Sequence, residues 1–135
     1  MKRKILNVED DLALSNILQM TLNKSCDILL ARNGREGVDM AALQHPDLIL
    51  MDIMMPVMDG LTALTILKEN DLTATIPVIF LSGKVQYDDI LRGFRMGADH
   101  YITKPFTSTE LRSGIDLFLE GEEHIEPSAP HHLSA

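Results

Sequence analysis

Four stretches of this chain place oxygen or nitrogen chemistry directly behind an apolar run. Glu9, Asp10 and Asp11 follow Ile5 to Val8. Asp52 follows the run that ends at Met51. Ser82-Gly83-Lys84 follows Ile76 to Leu81, and Lys104-Pro105-Phe106 follows His100 to Thr103. Three or more carboxylates brought together repel one another, and a divalent cation relieves that repulsion. Hard oxygen ligands suit Mg²⁺, which keeps several waters and takes one or two carboxylates plus phosphate oxygens. A carboxylate beside such an ion can act as a nucleophile toward phosphorus and become an aspartyl phosphate. The charge on the transferring oxygens then needs fixed partners. Lys104 and the cation can supply positive charge, and the Ser82 hydroxyl can donate a hydrogen bond.

Those residues act together only if the fold brings the ends of the apolar runs to one edge. The runs read as strands at Ile5–Val8, Ile28–Ala31, Asp47–Met51, Ile76–Leu81 and His100–Thr103. Helical spacing separates them. Leu14, Ile17, Leu18 and Leu22 give the first helix. Asn33 and Glu36 form a capping-box variant that opens the second, which turns Val38, Ala41 and Ala42 inward and ends at His45-Pro46. Leu61, Leu64 and Leu67 mark the third. Asp88 to Met96 is the fourth, closed by Gly97. Thr107 and Glu110 cap the fifth, with Leu111, Ile115, Phe118 and Leu119 as its apolar stripe; Gly114 inside it costs roughly 1 kcal/mol against alanine. Strands alternating with helices, and apolar along nearly their whole length, imply a parallel sheet covered on both faces. In such a sheet ligands bind outside the carboxyl ends of the strands.

The 135 residues suit one domain, and 45% hydrophobic composition suffices for its core. No apolar run is long enough to span a bilayer, and the N-terminus lacks the pattern of a secretory signal. A cytoplasmic protein is expected. The single cysteine, Cys26, permits no internal disulfide and is expected to be buried. A formal net charge of −8 argues against this chain gripping nucleic acid by itself. From Gly121 onward the composition turns to Pro, Ser and His, as in a flexible tail or linker. His124, His131 and His132 lack the spacing of a rigid metal motif.

The stretches Ile5-Leu6-Asn7-Val8-Glu9-Asp10-Asp11, Asp47-Leu48-Ile49-Leu50-Met51-Asp52 with Met55-Pro56-Val57-Met58-Asp59-Gly60, Pro77-Val78-Ile79-Phe80-Leu81-Ser82-Gly83, and Gly97-Ala98-Asp99-His100-Tyr101-Ile102-Thr103-Lys104-Pro105-Phe106 resemble the receiver domain of two-component response regulators. Each motif alone is modest, but all four in this order are specific, and the likeness runs over about residues 3 to 120. It implies an α/β fold: a (βα)5 doubly wound, five-stranded parallel sheet in the flavodoxin-like order 2-1-3-4-5. The receiver is expected over residues 1–121, with a tail or linker stub over 122–135.

The resemblance also implies roles. Asp52 is the phosphorylated nucleophile. Asp10 and Asp52 hold Mg²⁺ directly, the main-chain carbonyl of Met54 is a third ligand, and Glu9 acts through water. Ser82 and Lys104 meet the phosphoryl oxygens. Ser82 and Tyr101 are the switch pair, and the Lys104–Pro105 bond is cis. The donor is a histidine kinase or histidine phosphotransfer protein, docking near Leu12, Ala13, Ser15 and Phe106. A downstream protein effector reads the face made by the fourth helix, fifth strand and fifth helix. The chain is then no enzyme in the usual sense, but a phosphoacceptor that promotes its own phosphoryl transfer and dephosphorylation.

Plainer readings stand beside these. Asp52 and Ser82 could be turn residues, Asp11 an ordinary helix cap, Lys104 a solvated lysine, and Tyr101 a half-buried packing residue. Of these only Asp11 is left out of the expected site. Glu9 stands where aspartate is also common in the family. Met54 is expected to shield the acyl phosphate. The charged pairs of the family's dimer are incomplete: Arg92 and Glu110 could form one, but His100 and Gly114 stand where charges are expected. A monomer or a weak phosphorylation-dependent dimer follows. A receiver-like protein-binding module that works without phosphorylation is the alternative. A flavodoxin-like nucleotide binder would want a Gly/Ser/Thr-rich loop after the first strand, and a phosphatase a second acid where Met54 stands.

Overall fold

The helices that begin at Leu12, Gly34, Gly60 and Ser108 each start beside a short polar side chain that takes over unpaired backbone donors. The computed structural model describes residues 2–83 and 87–119. The elements run β1 (Arg3–Val8), α1 (Leu12–Leu22), β2 (Cys26–Ala31), α2 (Gly34–Gln44), β3 (Leu48–Met51), α3 (Gly60–Glu69), β4 (Val78–Ser82), α4 (Tyr87–Met96), β5 (His100–Thr103) and α5 (Ser108–Leu119). All strand pairs are parallel, and the order is β2-β1-β3-β4-β5. The expected (βα)5 architecture and sheet order are therefore present.

The caps are local and legible. Asp11 accepts from the Ala13 and Leu14 N–H groups at the start of α1, and Asp59 from Thr62 N–H at the start of α3. Thr107 Oγ1 accepts from Glu110 N–H at 3.0 Å while Glu110 Oε1 accepts from Thr107 N–H at 2.8 Å, a reciprocal capping box. The box on α2 is looser: Asn33 accepts from Glu36 N–H, but the Glu36 carboxylate reaches back one residue further, to Arg32 N–H. α2 ends at His45, in the left-handed region at φ 51°, and Gly97 at φ 117° follows α4.

Two apolar layers flank the sheet. One holds Leu6, Val8, Ile49, Met51, Val78 and Phe80 against α2 and α3. The other holds Ile5, Leu48, Leu50, Ile79, Leu81 and Ile102 against α1 and α5. Cys26 is buried in this second layer, and burial pushes its thiol pKa up.

Several expected boundaries and faces shift. β4 begins at Val78, two residues later than the apolar run, because Ile76 N–H is used in a turn to Thr73 and Pro77 has no N–H. It runs on through Ser82, which is thus the last strand residue. On α1 the buried stripe is Ser15, Leu18 and Leu22. Ile17 is 56% exposed, one helical step off that stripe, and does not point inward. Residues 120–135, including the expected tail with His124, His131 and His132, and Lys84 lie outside the described residues.

Candidate functional site

The carboxyl ends of β1, β3, β4 and β5 converge, and each delivers a side chain that the sequence marked. Asp52 follows β3 and is 8% exposed. Its Oδ1 accepts from Ser82 Oγ at 3.0 Å and from Met54 N–H at 3.1 Å; its Oδ2 accepts from Lys104 Nζ at 3.0 Å. The same ammonium donates to Glu9 Oε1, also at 3.0 Å. Lys104 directly follows β5, and its bond to Pro105 is cis, as the resemblance implies.

Glu9 is nearly inaccessible, at 1% exposure. Its second oxygen, Oε2, accepts from Asp11 N–H at 3.2 Å. Burial raises the Glu9 pKa, against the pull of Lys104 and the Asp11 amide. For Lys104, burial works to lower the pKa, but the bonds to Asp52 and Glu9 outweigh it and the net shift is upward. The ammonium therefore stays charged between the two carboxylates.

Asp10 points outward and is exposed, yet Glu9, Asp10 and Asp52 each offer a carboxylate oxygen within 4.8 Å of the others. The donor set is all hard oxygen, and it suits a divalent cation that keeps waters. Asp11 caps α1 with its side chain and lends Glu9 only its N–H.

Behind this edge, Tyr101 turns its ring toward the α2–α3 layer, and its hydroxyl donates to the Ser82 main-chain oxygen at 2.8 Å. That same oxygen accepts from Lys104 N–H at 3.1 Å. Ser82 thus meets Asp52 through its side chain and Tyr101 through its backbone. Burial, then the Asp52 charge, raises the Tyr101 pKa.

Sequence reasoning missed how tightly the backbone is packed here. A Cβ on Gly60 would lie 2.4 Å from the Asp52 carbonyl oxygen, and Gly60 N–H donates to Ile53 C=O at 2.8 Å. Only glycine fits, and the Gly that follows Asp59 was its signal. Of the expected donor contacts, Leu12 and Ala13 are exposed and Phe106 partly so, but Ser15 is buried at 6% exposure and faces the sheet. Ile17 takes its place beside them. With Leu14, Lys104, Pro105 and Phe106 it lines a groove of about 360 Å³ next to the acidic cluster.

The residues from 5 to 116 match the family model described as the response regulator receiver domain. The chain belongs to that family. This receiver is 36% identical over 129 residues to the DNA-binding dual master transcriptional regulator RpaA of Synechocystis, a match covering 95% of this chain and 54% of RpaA. The receiver spans about half the length of the curated relatives it matches. Among solved structures, the receiver domain of a signal transduction histidine kinase from Syntrophus aciditrophicus superposes with a TM-score of 0.81 at 36% identity, covering 96% of this chain and 98% of that one. The receiver domain of the sensor histidine kinase PA1611 from Pseudomonas aeruginosa, with a magnesium ion coordinated in its active-site cleft, gives a TM-score of 0.80 at 27% identity, covering 87% and 98%. Kinship with response regulators and with kinase receivers fits a phosphoacceptor role, and nothing favours the phosphorylation-independent alternative. Among the described residues, no helix is long and apolar enough to cross a membrane.

Proposed function

We propose that this receiver takes a phosphoryl group from phosphohistidine onto Asp52, with Mg²⁺ present, and so switches a surface that a downstream protein reads. The observation that supports this best is the Asp52 carboxylate itself, held by the Ser82 hydroxyl on one oxygen and the Lys104 ammonium on the other, beside two further acids. An Asp52 oxygen attacks phosphorus as the phosphorus–nitrogen bond to the donor imidazole breaks, leaving a mixed acyl phosphate. Lys104 then pairs with a phosphoryl oxygen and Ser82 donates to another. Mg²⁺, when bound, adds positive charge to the transferring oxygens. Asp10 and Asp52 would hold it directly, the Met54 carbonyl would be a third ligand, and Glu9 would act through water.

The switch pair is Ser82 and Tyr101. A phosphoryl group on Asp52 competes for the Ser82 hydroxyl, and movement of Ser82 is felt at the oxygen that Tyr101 and Lys104 N–H share. The shift passes to the α4–β5–α5 face. A histidine kinase or phosphotransfer protein docks over Leu12, Ala13, Ile17 and Phe106. The protein works in the cytoplasm as a non-enzymatic switch, and this chain binds no nucleic acid directly.

A dimer through Arg92 and Glu110 is disfavoured. Arg92 pairs with Asp89 on its own helix at 3.1 Å, and Glu110 closes the α5 capping box. Incubation with Mg²⁺ and acetyl phosphate, followed by intact mass, tests the proposal: one phosphoryl group in the native chain, none in Asp52→Ala.

A further inference from the structure

Two buried polar side chains take no part in the site described above. Asn7 lies on the central strand β1 at 1% exposure, and Ser15 in the first turn of α1 at 6%. Among the described residues, the Asn7 amide nitrogen and oxygen and the Ser15 hydroxyl are the buried side-chain atoms without a hydrogen-bond partner. They share one layer. Ile5 packs in the α1–α5 layer, while Leu6 and Val8 pack in the opposite one, so strand alternation turns Asn7 toward α1 and α5. Its register partner on β3, Leu50, lies in that layer with Leu18 and Leu22, which form the buried stripe of α1 together with Ser15. An amide and a hydroxyl left unpaired in an apolar layer are costly. Water is the smallest molecule that can both donate to and accept from them, and internal waters sit where a few such groups converge.

We propose that Asn7 and Ser15 hold one internal water that ties β1 to the first turn of α1 and thereby positions Glu9. Glu9 lies two residues beyond Asn7 on the same chain. Above it, Asp11 N–H holds Glu9 Oε2 at 3.2 Å, and Ser15 N–H donates to Asp11 C=O at 3.0 Å. The turn that fixes one Glu9 oxygen is thus the turn that carries Ser15. Asn7 and Ser15 touch no reacting atom; they are positioning residues. The effect on metal binding rests on the proposed reading of Glu9, Asp10 and Asp52.

The test uses the full chain with Asn7→Leu and Ser15→Ala. Magnetisation transfer from water to the Asn7 side-chain amide protons should reveal a long-lived contact in the native chain, and Ser15→Ala should abolish it. Calorimetric Mg²⁺ titration should show Kd raised roughly threefold in both variants, less than the loss expected for a group bonded directly to a ligand. Asn7→Leu should melt no lower than the native chain, because an apolar side chain there replaces a buried amide that only the water satisfies. A merely structural role would move stability and leave Mg²⁺ binding alone. Absence of the water contact, or Mg²⁺ affinity within error of the native value in both variants, overturns the proposal. If Asn7→Leu does not fold, Ser15→Ala decides alone. A native chain that binds no Mg²⁺ overturns the metal reading and the positioning role together, while the spectrum still decides the water.

Discussion

The Lys104 ammonium lies 3.0 Å from a carboxylate oxygen of Glu9 and 3.0 Å from one of Asp52. One cation therefore bridges two acids that follow different strands. In the proposed chemistry it competes with Mg²⁺ before phosphorylation and assists the phosphoryl group afterwards.

Removing that charge should separate the two effects. Lys104→Met is expected to bind Mg²⁺ about tenfold more tightly, a change of roughly 1.4 kcal/mol, because no ammonium competes for the acids. Its phosphorylation by acetyl phosphate should nonetheless slow by about a hundredfold, the order seen when one transition-state donor is lost. Calorimetry and timed mass spectra read the two.

Glu9 should make Mg²⁺ binding sensitive to acid. Burial raises its pKa above the ordinary 4.5, despite Lys104 and the Asp11 amide. A raised folded pKa means that the folded chain holds this proton more tightly than the unfolded one. Glu9's contribution to stability is therefore present below the ordinary value and falls as pH rises through the raised one. Mg²⁺ affinity runs the other way. As pH falls from neutrality toward 4.5, Glu9 protonates before an ordinary glutamate would, and binding weakens. Glu9→Gln should remove that part of the decline. The chain has no tryptophan, so calorimetry at stepped pH is the suitable measurement.

Val57 carries backbone strain. It sits at φ 69°, a region β-branched residues avoid, and its side chain is 81% exposed. A tight turn closed by Met58 N–H donating to Pro56 C=O at 2.7 Å holds it there, a conformation glycine adopts without strain. Val57→Gly should stabilise the chain by roughly 1 kcal/mol, the relief of strain less the added freedom of the unfolded state. The urea midpoint should rise at constant slope.

Gly114 reverses the expectation from helix propensity. Alanine there should gain about 1 kcal/mol in an isolated helix. In the fold, a Cβ would meet Ile102 Cδ1 at 2.7 Å and His100 Cδ2 at 3.2 Å, because α5 lies close against β5. Gly114→Ala is therefore expected to lower stability by about 1 kcal/mol net, overpacking outweighing propensity. Thermal melting gives the sign.

The acids, the hydroxyl and the lysine could be read from the sequence because each follows an apolar run, and a parallel sheet brings such positions to one edge. The caps at Asp11, Asp59 and Thr107 were equally local. What escaped the sequence depends on packing between elements. Ser15 lies on the buried α1 stripe and Ile17 one helical step off it, and only the placement of the sheet decides which of them is covered. The second bond of Glu9 is to a backbone N–H, which carries no residue-type signal. The Arg92–Asp89 pair is local in sequence, but a charge three residues away competes with any partner across an interface, and only the structure shows which it takes.

The most direct measurement is the intact mass of the chain after incubation with Mg²⁺ and acetyl phosphate, beside a receiver of known activity. A single added phosphoryl group is expected, assigned by mapping to Asp52 and not formed when EDTA is present or in Asp52→Ala. No adduct while the reference receiver is labelled, or an undiminished adduct in Asp52→Ala, would contradict it.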